Sequence, residues 1–229
     1  MDSNKKTARI AGLLYLVVVL SGVFGLMYVP SALIVWNDAP ATVNNIMTSK
    51  TLFRFGIVSD LISYTFFLFV ALVLYKLLKP VNKTMAALMV ILALVSIPIS
   101  FSNVLSKFDI LTILSGADYF KFMKPEQIQT EVMLSLISYN NGSIINIFWG
   151  LWLFPFGYLV FKSGILPKIL GIILMAGCIG YIIDFLGYIL LSNYGETGIS
   201  AFVGLPASIG EIGICLWLLI MGAKEIQTN

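Results

Sequence analysis

The chain has 229 residues, of which 59% are hydrophobic and 11% are charged, and its mean hydropathy is +0.97. A soluble domain is about 45–50% apolar and about 25% charged, so this composition excludes an ordinary soluble protein and predicts an integral membrane protein. The net charge is only +3 and the basic residues form no patch, which excludes nucleic acid as an expected partner. Histidine is absent, and this excludes Ser-His and Cys-His nucleophiles and His-ligated zinc or haem.

The first predicted span covers about residues 10–29 and follows the basic head MDSNKKTAR. We interpret it as a retained helix and not a signal peptide. Its apolar run is longer than the apolar core of a signal peptide, which has about 7–15 residues, and no A-x-A cleavage site follows it. Asp38 as an N-cap, with Pro40 just after it, predicts a short amphipathic helix that continues to Ser49. We expect this helix to lie on the outer surface of the membrane that the spans cross.

The second span covers about 52–78 and the third about 85–106, and a short basic turn joins them. Pro98 lies inside the third span, where a missing backbone donor predicts a kink. Lys107 is expected to mark the far end of this span. Residues 108–140 form the longest segment between spans, and apolar residues at four-residue spacing predict an amphipathic helix near its end.

The last three spans cover about 143–161, 169–191 and 201–222. The sequence therefore predicts an all-α integral membrane protein, a six-transmembrane-helix bundle with short amphipathic helices on the outer side. One domain over residues 1–229 is expected, because no linker interrupts the apolar runs. Cys178 and Cys215 lie within spans and are predicted to be packing residues, and no metal site or cofactor is predicted.

The distribution of lysine and arginine predicts cytoplasmic N and C termini. With this orientation nine basic residues lie on the inner side and five on the outer side, as the positive-inside rule favours. The inner set is Lys5, Lys6, Arg9, Lys76, Lys79, Lys83, Lys162, Lys168 and Lys224, and the outer set is Lys50, Arg54, Lys107, Lys121 and Lys124.

Polar side chains recur on one face of each of the last five predicted spans, at three- or four-residue spacing. A charge facing lipid near the bilayer centre costs roughly 2.5–3.5 kcal/mol, so these faces are expected to turn inward together. The orientation places them in the outer half of the membrane, with Glu211 deepest. The candidate ligand-binding residues, predicted to line one polar pocket, are Arg54, Asp60, Asn103, Lys107, Asn146, Asp184 and Glu211.

A structural alternative exists for these residues, because polar side chains also hold membrane helices together. The candidate residues include three carboxylates but only two cations, Arg54 and Lys107. We therefore expect at least one acid to be protonated or hydrogen-bonded to Asn, Ser or Tyr. No catalytic residue can be assigned from the sequence.

The segments ARIAGLLYLVVV, LFRFGIVSDL, LPKILGIILMAGCIGYIID and EIGICLWLLIMGAK resemble the bacterial family of domain of unknown function 4386. The resemblance covers nearly the whole chain. It implies a small six-helix inner-membrane protein, and the matching blocks carry Arg54, Asp60, Asp184 and Glu211. It implies no activity.

Three functions are compatible with this pattern. The first is binding of a small molecule or a lipid headgroup in the polar pocket, with membrane lipids as further partners and homo-oligomerisation left open. The second is proton- or sodium-coupled transport, which intramembrane acids suggest, although few polar residues occupy the inner half. The third is an intramembrane enzyme that uses acid pairs, although the common motifs of membrane proteases and lipid phosphatases are missing.

Overall fold

The computed structural model describes residues 3–141, 144–191 and 193–224, and the regular structure in these ranges is helical. Six helical stretches there are long and apolar enough to cross a membrane. They are Asn4–Leu33, Lys50–Leu78, Lys83–Ile113, Pro125–Ser163, Lys168–Leu190 and Ile199–Ile220. The fourth stretch runs through residues 142–143, which lie outside the described ranges. The prediction of an all-α membrane protein with six spans is confirmed.

The helices follow one another in simple order. The first span consists of α1 (Ser3–Gly22), a π-helical segment (Val23–Tyr28) and α2 (Val29–Leu33). The others are α3 (Ala39–Thr48), α4 (Lys50–Leu78), α5 (Lys83–Ile113), α6 (Pro125–Asn141), α7 (Ile144–Ser163), α8 (Lys168–Leu190) and α9 (Ile199–Ile220). Two short 3-10 turns, Asp118–Phe120 and Tyr194–Glu196, precede α6 and α9.

Most predicted span boundaries agree with the structure to within two residues, but three do not. The first span is longer at both ends and begins inside the basic head. The third does not end at Lys107, because α5 continues to Ile113. Lys107 is only 4% exposed and binds a carboxylate, so it is an interior residue of the helix and not a surface end marker. The predicted start of the fourth span, Ser143, lies outside the described residues.

The short helix α3 begins as the sequence predicts. The Asp38 side chain accepts a hydrogen bond from the Ala41 amide at 2.9 Å, and Pro40 lies in the first turn. A carboxylate in this position satisfies an amide that has no partner within the helix. Ile46 is fully buried on the inner face of α3.

The described chain divides into two compact units. Unit one comprises Met1–Val17, Thr65–Ile97 and Ser143–Asn229, and unit two comprises Val18–Tyr64 and Pro98–Gly142. The helices α1, α4 and α5 each contribute residues to both units. The prediction of a single membrane domain stays a prediction.

Small residues bring the helices of unit one close together. A Cβ atom at Gly12 of α1 would lie 2.7 Å from the Leu219 Cα of α9, and one at Gly177 of α8 would lie 2.7 Å from the Ala207 Cα of α9. Glycine at these positions lets the backbones approach, which is how membrane helices gain packing energy without a hydrophobic effect.

In unit two the end of the first span packs on the beginning of α4. The Ser59 and Ser63 hydroxyls donate to the carbonyls of Ser21 and Val18, at 3.0 and 3.2 Å. Such bonds satisfy serine hydroxyls that face no water. α3 packs against α6 in the same unit.

The π-helical segment lies just before Pro30. Pro30 has no backbone N–H, so the Leu26 carbonyl lacks its α-helical donor. The Val29 amide bonds to the Phe24 carbonyl, five residues back, where a regular α-helix would use Gly25. Segments of this kind are uncommon and often lie at functional sites.

Candidate functional site

A buried ion pair forms the centre of unit two. The Lys107 Nζ of α5 lies 2.6 Å from the Asp60 Oδ2 of α4, and the two side chains are 4% and 0% exposed. Burying two charges carries a desolvation cost that a single hydrogen-bonded contact only partly offsets. Further polar contacts around the pair are therefore expected.

Two tyrosines supply such contacts. The Tyr139 hydroxyl of α6 donates to the same Asp60 oxygen at 2.9 Å, and the Lys107 Nζ lies 3.9 Å from the centroid of the Tyr139 ring. Tyr64 hydrogen-bonds with Tyr139. We call Tyr64, Tyr139, Asp60 and Lys107 the tyrosine–ion-pair cluster.

The glycine of the π-helical segment makes room for this cluster. A Cβ atom at Gly25 would collide with the Asp60 Oδ1. This oxygen is buried and has no hydrogen-bond partner among the described residues. Each larger side chain at position 25 would therefore push the carboxylate away from Lys107.

The cluster borders a cavity in unit two. Its cavity volume is about 70 Å³, and the empty space is about 470 Å³ when the open space at its mouth is included. Aliphatic and aromatic side chains form most of the wall, and the polar end consists of Lys107, Tyr139 and Asn140. The apolar wall is formed by Leu26, Val29, Pro30, Leu33, Ile34, Trp36, Phe53 and Leu136. The site thus combines an apolar space with one polar end.

A second acid is bound inside unit one. The Tyr15 hydroxyl of α1 donates to the Glu211 Oε2 of α9 at 2.7 Å. Tyr15 is 1% exposed, and its ring centroid lies 6.3 Å from that of Trp152. The ion pairs among the described residues do not include Glu211. The expectation that at least one acid is hydrogen-bonded to a neutral side chain is confirmed.

Asp184 of α8 lies near the same group. Tyr181 lies within electrostatic range of both Asp184 and Glu211. Outside the spans, burial and the nearby Asp184 carboxylate raise the pKa of Tyr194. The Tyr194 ring fills the space left by Gly187, since a Cβ atom there would collide with the ring.

The structure brings two of the predicted site residues into direct contact, Asp60 and Lys107 in unit two. Asp184 and Glu211 both belong to unit one. Asn103 and Asn146 are half-buried, and Arg54 is exposed and belongs to no ion pair among the described residues. The prediction of one pocket lined by all seven residues stays a prediction.

Sequence reasoning missed the tyrosines, which supply hydroxyl partners for both acids. A signal for Tyr139 existed, because it continues the buried face of α6 after Val132 and Leu136 at helical spacing. No group of three or more Cys, Asp and Glu side chains in the described ranges is arranged to hold a metal ion.

Comparisons with known proteins agree with the resemblance seen in the sequence. The family model for a domain of unknown function (DUF4386) matches residues 10–222. An uncharacterized protein from the archaeon Archaeoglobus fulgidus is 32% identical over 155 residues, which are 68% of this chain and 76% of that protein. No solved structure matches the chain. Similar chains are thus not confined to bacteria.

Proposed function

Since this chain belongs to the DUF4386 family, whose description states no activity, we propose a function from its geometry: it binds an amphiphilic small molecule or lipid taken from the membrane. The apolar part of this ligand would occupy the cavity of unit two, and its polar head would meet Lys107, Tyr139 and Asn140. Pockets for small ligands are usually apolar with a few polar groups that fix orientation.

The observation that carries the proposal is the double position of Lys107. Its ammonium group is bound to Asp60, and the residue also belongs to the lining of the cavity. An ammonium group has three donors, and Asp60 accepts only one of them in this contact. A ligand head can therefore accept a hydrogen bond from Lys107 without breaking the ion pair.

The charges of Asp60 and Lys107 indicate which kinds of ligand head fit the polar end of the cavity. Asp60 already neutralises Lys107, so the polar end carries no net charge. An anionic head would face Asp60 across a short distance, and like charges at low dielectric repel strongly. A neutral acceptor, such as an ester or ketone carbonyl or a hydroxyl group, fits the polar end best.

Analysis of co-purifying amphiphiles tests this proposal. The protein is purified in a mild detergent, and its bound molecules are extracted and compared by mass spectrometry with the bulk membrane extract. We expect one neutral amphiphile to be enriched with the wild-type chain and with Leu72→Trp, which changes an exposed residue of α4 outside the cavity. Leu26→Trp and Ile34→Trp fill the cavity and should lose this molecule.

The proposal is wrong if no amphiphile is enriched, or if all four chains retain the same amount. Gel filtration of each variant identifies any that fail to fold. Two cavity-filling variants are used so that one misfolded chain does not leave the question open.

Ion-coupled transport is a second candidate, and the Glu211–Tyr15 contact supports it. Glu211 is held by a neutral hydroxyl inside a span, an arrangement that suits an acid which gains and loses a proton. Proteoliposomes loaded with a pH-sensitive dye test this function. A proton flux that Glu211→Gln abolishes would support transport, and the absence of any flux from the wild-type chain would exclude proton coupling.

A further inference from the structure

A shallow groove on the surface of unit one carries two cations at one end. It is lined by Lys6, Arg9, Ile10 and Leu13 of α1 and by Leu219 of α9. Positions 6, 9, 10 and 13 share one face of a helix, and the seven helical steps from Lys6 to Leu13 span about 10 Å. The groove is thus basic at one end and aliphatic along the rest.

The exposure of these side chains shows which way the groove faces. Ile10 and Leu13 are 43% and 56% exposed, although they lie inside a membrane span. Residues of a span that are exposed in this way face lipid. An occupant of the groove would therefore have its apolar part in the membrane and its charged part at the level of Lys6.

Arg9 is held in place before any ligand arrives. Its Nη2 donates to the Ile220 carbonyl at the end of α9, at 3.1 Å. Its Nε is buried and is not offered to a ligand at the surface. The remaining Nη donors of a guanidinium group held in one orientation are well suited to bind a phosphate oxygen.

We propose that this groove binds an anionic phospholipid, with its phosphate at Lys6 and Arg9 and an acyl chain along Ile10, Leu13 and Leu219. Lys5 packs nearby on Gly222 and adds positive charge at the same level. The groove shares no lining residue with the cavity of the proposed function, and this proposal does not depend on that one.

Native mass spectrometry of the full chain tests the site. The delipidated protein is mixed with equal amounts of phosphatidylglycerol and phosphatidylcholine that carry the same acyl chains. We expect the wild type to retain more phosphatidylglycerol. Lys6→Gln removes one exposed cation and should weaken this binding about fivefold, since a basic residue near an anionic headgroup contributes about that factor.

Two matched controls distinguish loss of the groove from loss of any positive charge and from addition of any bulky side chain. Lys83→Gln removes an exposed lysine at the start of α5, and Leu20→Trp adds a ring to an exposed part of α1 outside the groove. Both should bind like the wild type. Leu13→Trp blocks the groove without a change in charge and should lose phosphatidylglycerol.

Three results would overturn the proposal. Equal retention of the two lipids would exclude headgroup recognition. Equal losses in Lys6→Gln and Lys83→Gln would mean that only the overall charge matters. Displacement of the lipid by glycerol 3-phosphate at the same concentration would identify a site for free phosphate and not for a phospholipid.

Discussion

The Asp60–Lys107 pair shows how a single residue can depend on its partner in this protein. Each charge is tolerated in the interior because the other lies 2.6 Å away. When one partner of a buried pair is removed, the other is left without compensation, and the loss is roughly 3–5 kcal/mol in soluble proteins. When both are replaced by neutral side chains, much of this loss disappears.

We therefore expect Lys107→Met to lower thermal stability strongly, and Asp60→Asn combined with Lys107→Met to restore part of it. The fraction of monodisperse protein after heating in detergent measures this. Lys121→Met is the control, because it breaks an exposed pair with Asp118 and should cost at most about 1 kcal/mol. A double variant less stable than the single one would contradict the argument.

The Glu211–Tyr15 contact permits a second test at the residue scale. Gln at position 211 keeps a carbonyl oxygen that accepts the Tyr15 proton, so Glu211→Gln should accumulate in the membrane like the wild type. Tyr15→Phe removes the donor and should lower the accumulated level. If all seven predicted residues form one site, Glu211→Gln should also reduce the co-purified amphiphile.

Two outcomes would contradict this reasoning. Failure of Glu211→Gln to accumulate would make Glu211 a structural residue. Full retention of the amphiphile would mean that Glu211 does not belong to the binding site. The protein level is read from membranes and the amphiphile from the purified chain, so the two outcomes are measured independently.

At the scale of helices, close packing between two helices depends on which glycines lie against the backbone of a neighbouring helix. Gly12 of α1 faces Leu219 of α9, and the Cys215 thiol lies 3.7 Å from the Gly12 carbonyl. Gly204 of α9 has open space around its Cβ position. The same substitution should have opposite effects at these two glycines.

We expect Gly12→Ala to destabilise the protein, because the new methyl group would force α1 away from α9. Gly204→Ala should be neutral or stabilising by up to about 1 kcal/mol, since alanine favours helix more than glycine does. Thermal unfolding in detergent compares the two variants directly. A loss of stability at Gly204 equal to that at Gly12 would mean that backbone flexibility and not packing is the cause.

The existence of the helices could be predicted, but their partners could not. Hydropathy alone indicates the spans, because an apolar run of about 20 residues has few other uses. The prediction that Lys107 ends a helix is wrong, because a sequence window cannot show that a lysine has a carboxylate beside it. Tyr15 and Tyr139 were missed because a tyrosine in an apolar run equally suits packing.

At the scale of the whole molecule, the number of spans and the all-helical class follow from the apolar runs along the chain and are confirmed. The candidate site is less predictable, because helical spacing shows which residues share a face but not which helices are neighbours. The sequence led us to expect one site from seven residues. The structure provides direct contacts within each of the two units, and those contacts involve side chains from helices far apart in sequence.

The orientation in the membrane is a prediction for the whole molecule. The bias of nine basic residues against five favours cytoplasmic termini. An export-dependent reporter fused after Lys224 should be inactive, and the same reporter inserted near Gly116 should be active. Gly116 adopts φ +77° in an open turn, so an insertion there disturbs little packing. The reverse activities would invert the topology.

The π-helical segment has a consequence for the length of the chain. A π turn holds about one residue more than an α turn, so residues 23–28 contain one residue beyond what a regular helix needs between its flanks. Gly22 approaches Ser63 before the segment, and Val29 packs on Gly56 after it. A chain one residue shorter here can keep both contacts. Among related sequences, this is the place inside a span where a single-residue gap is expected.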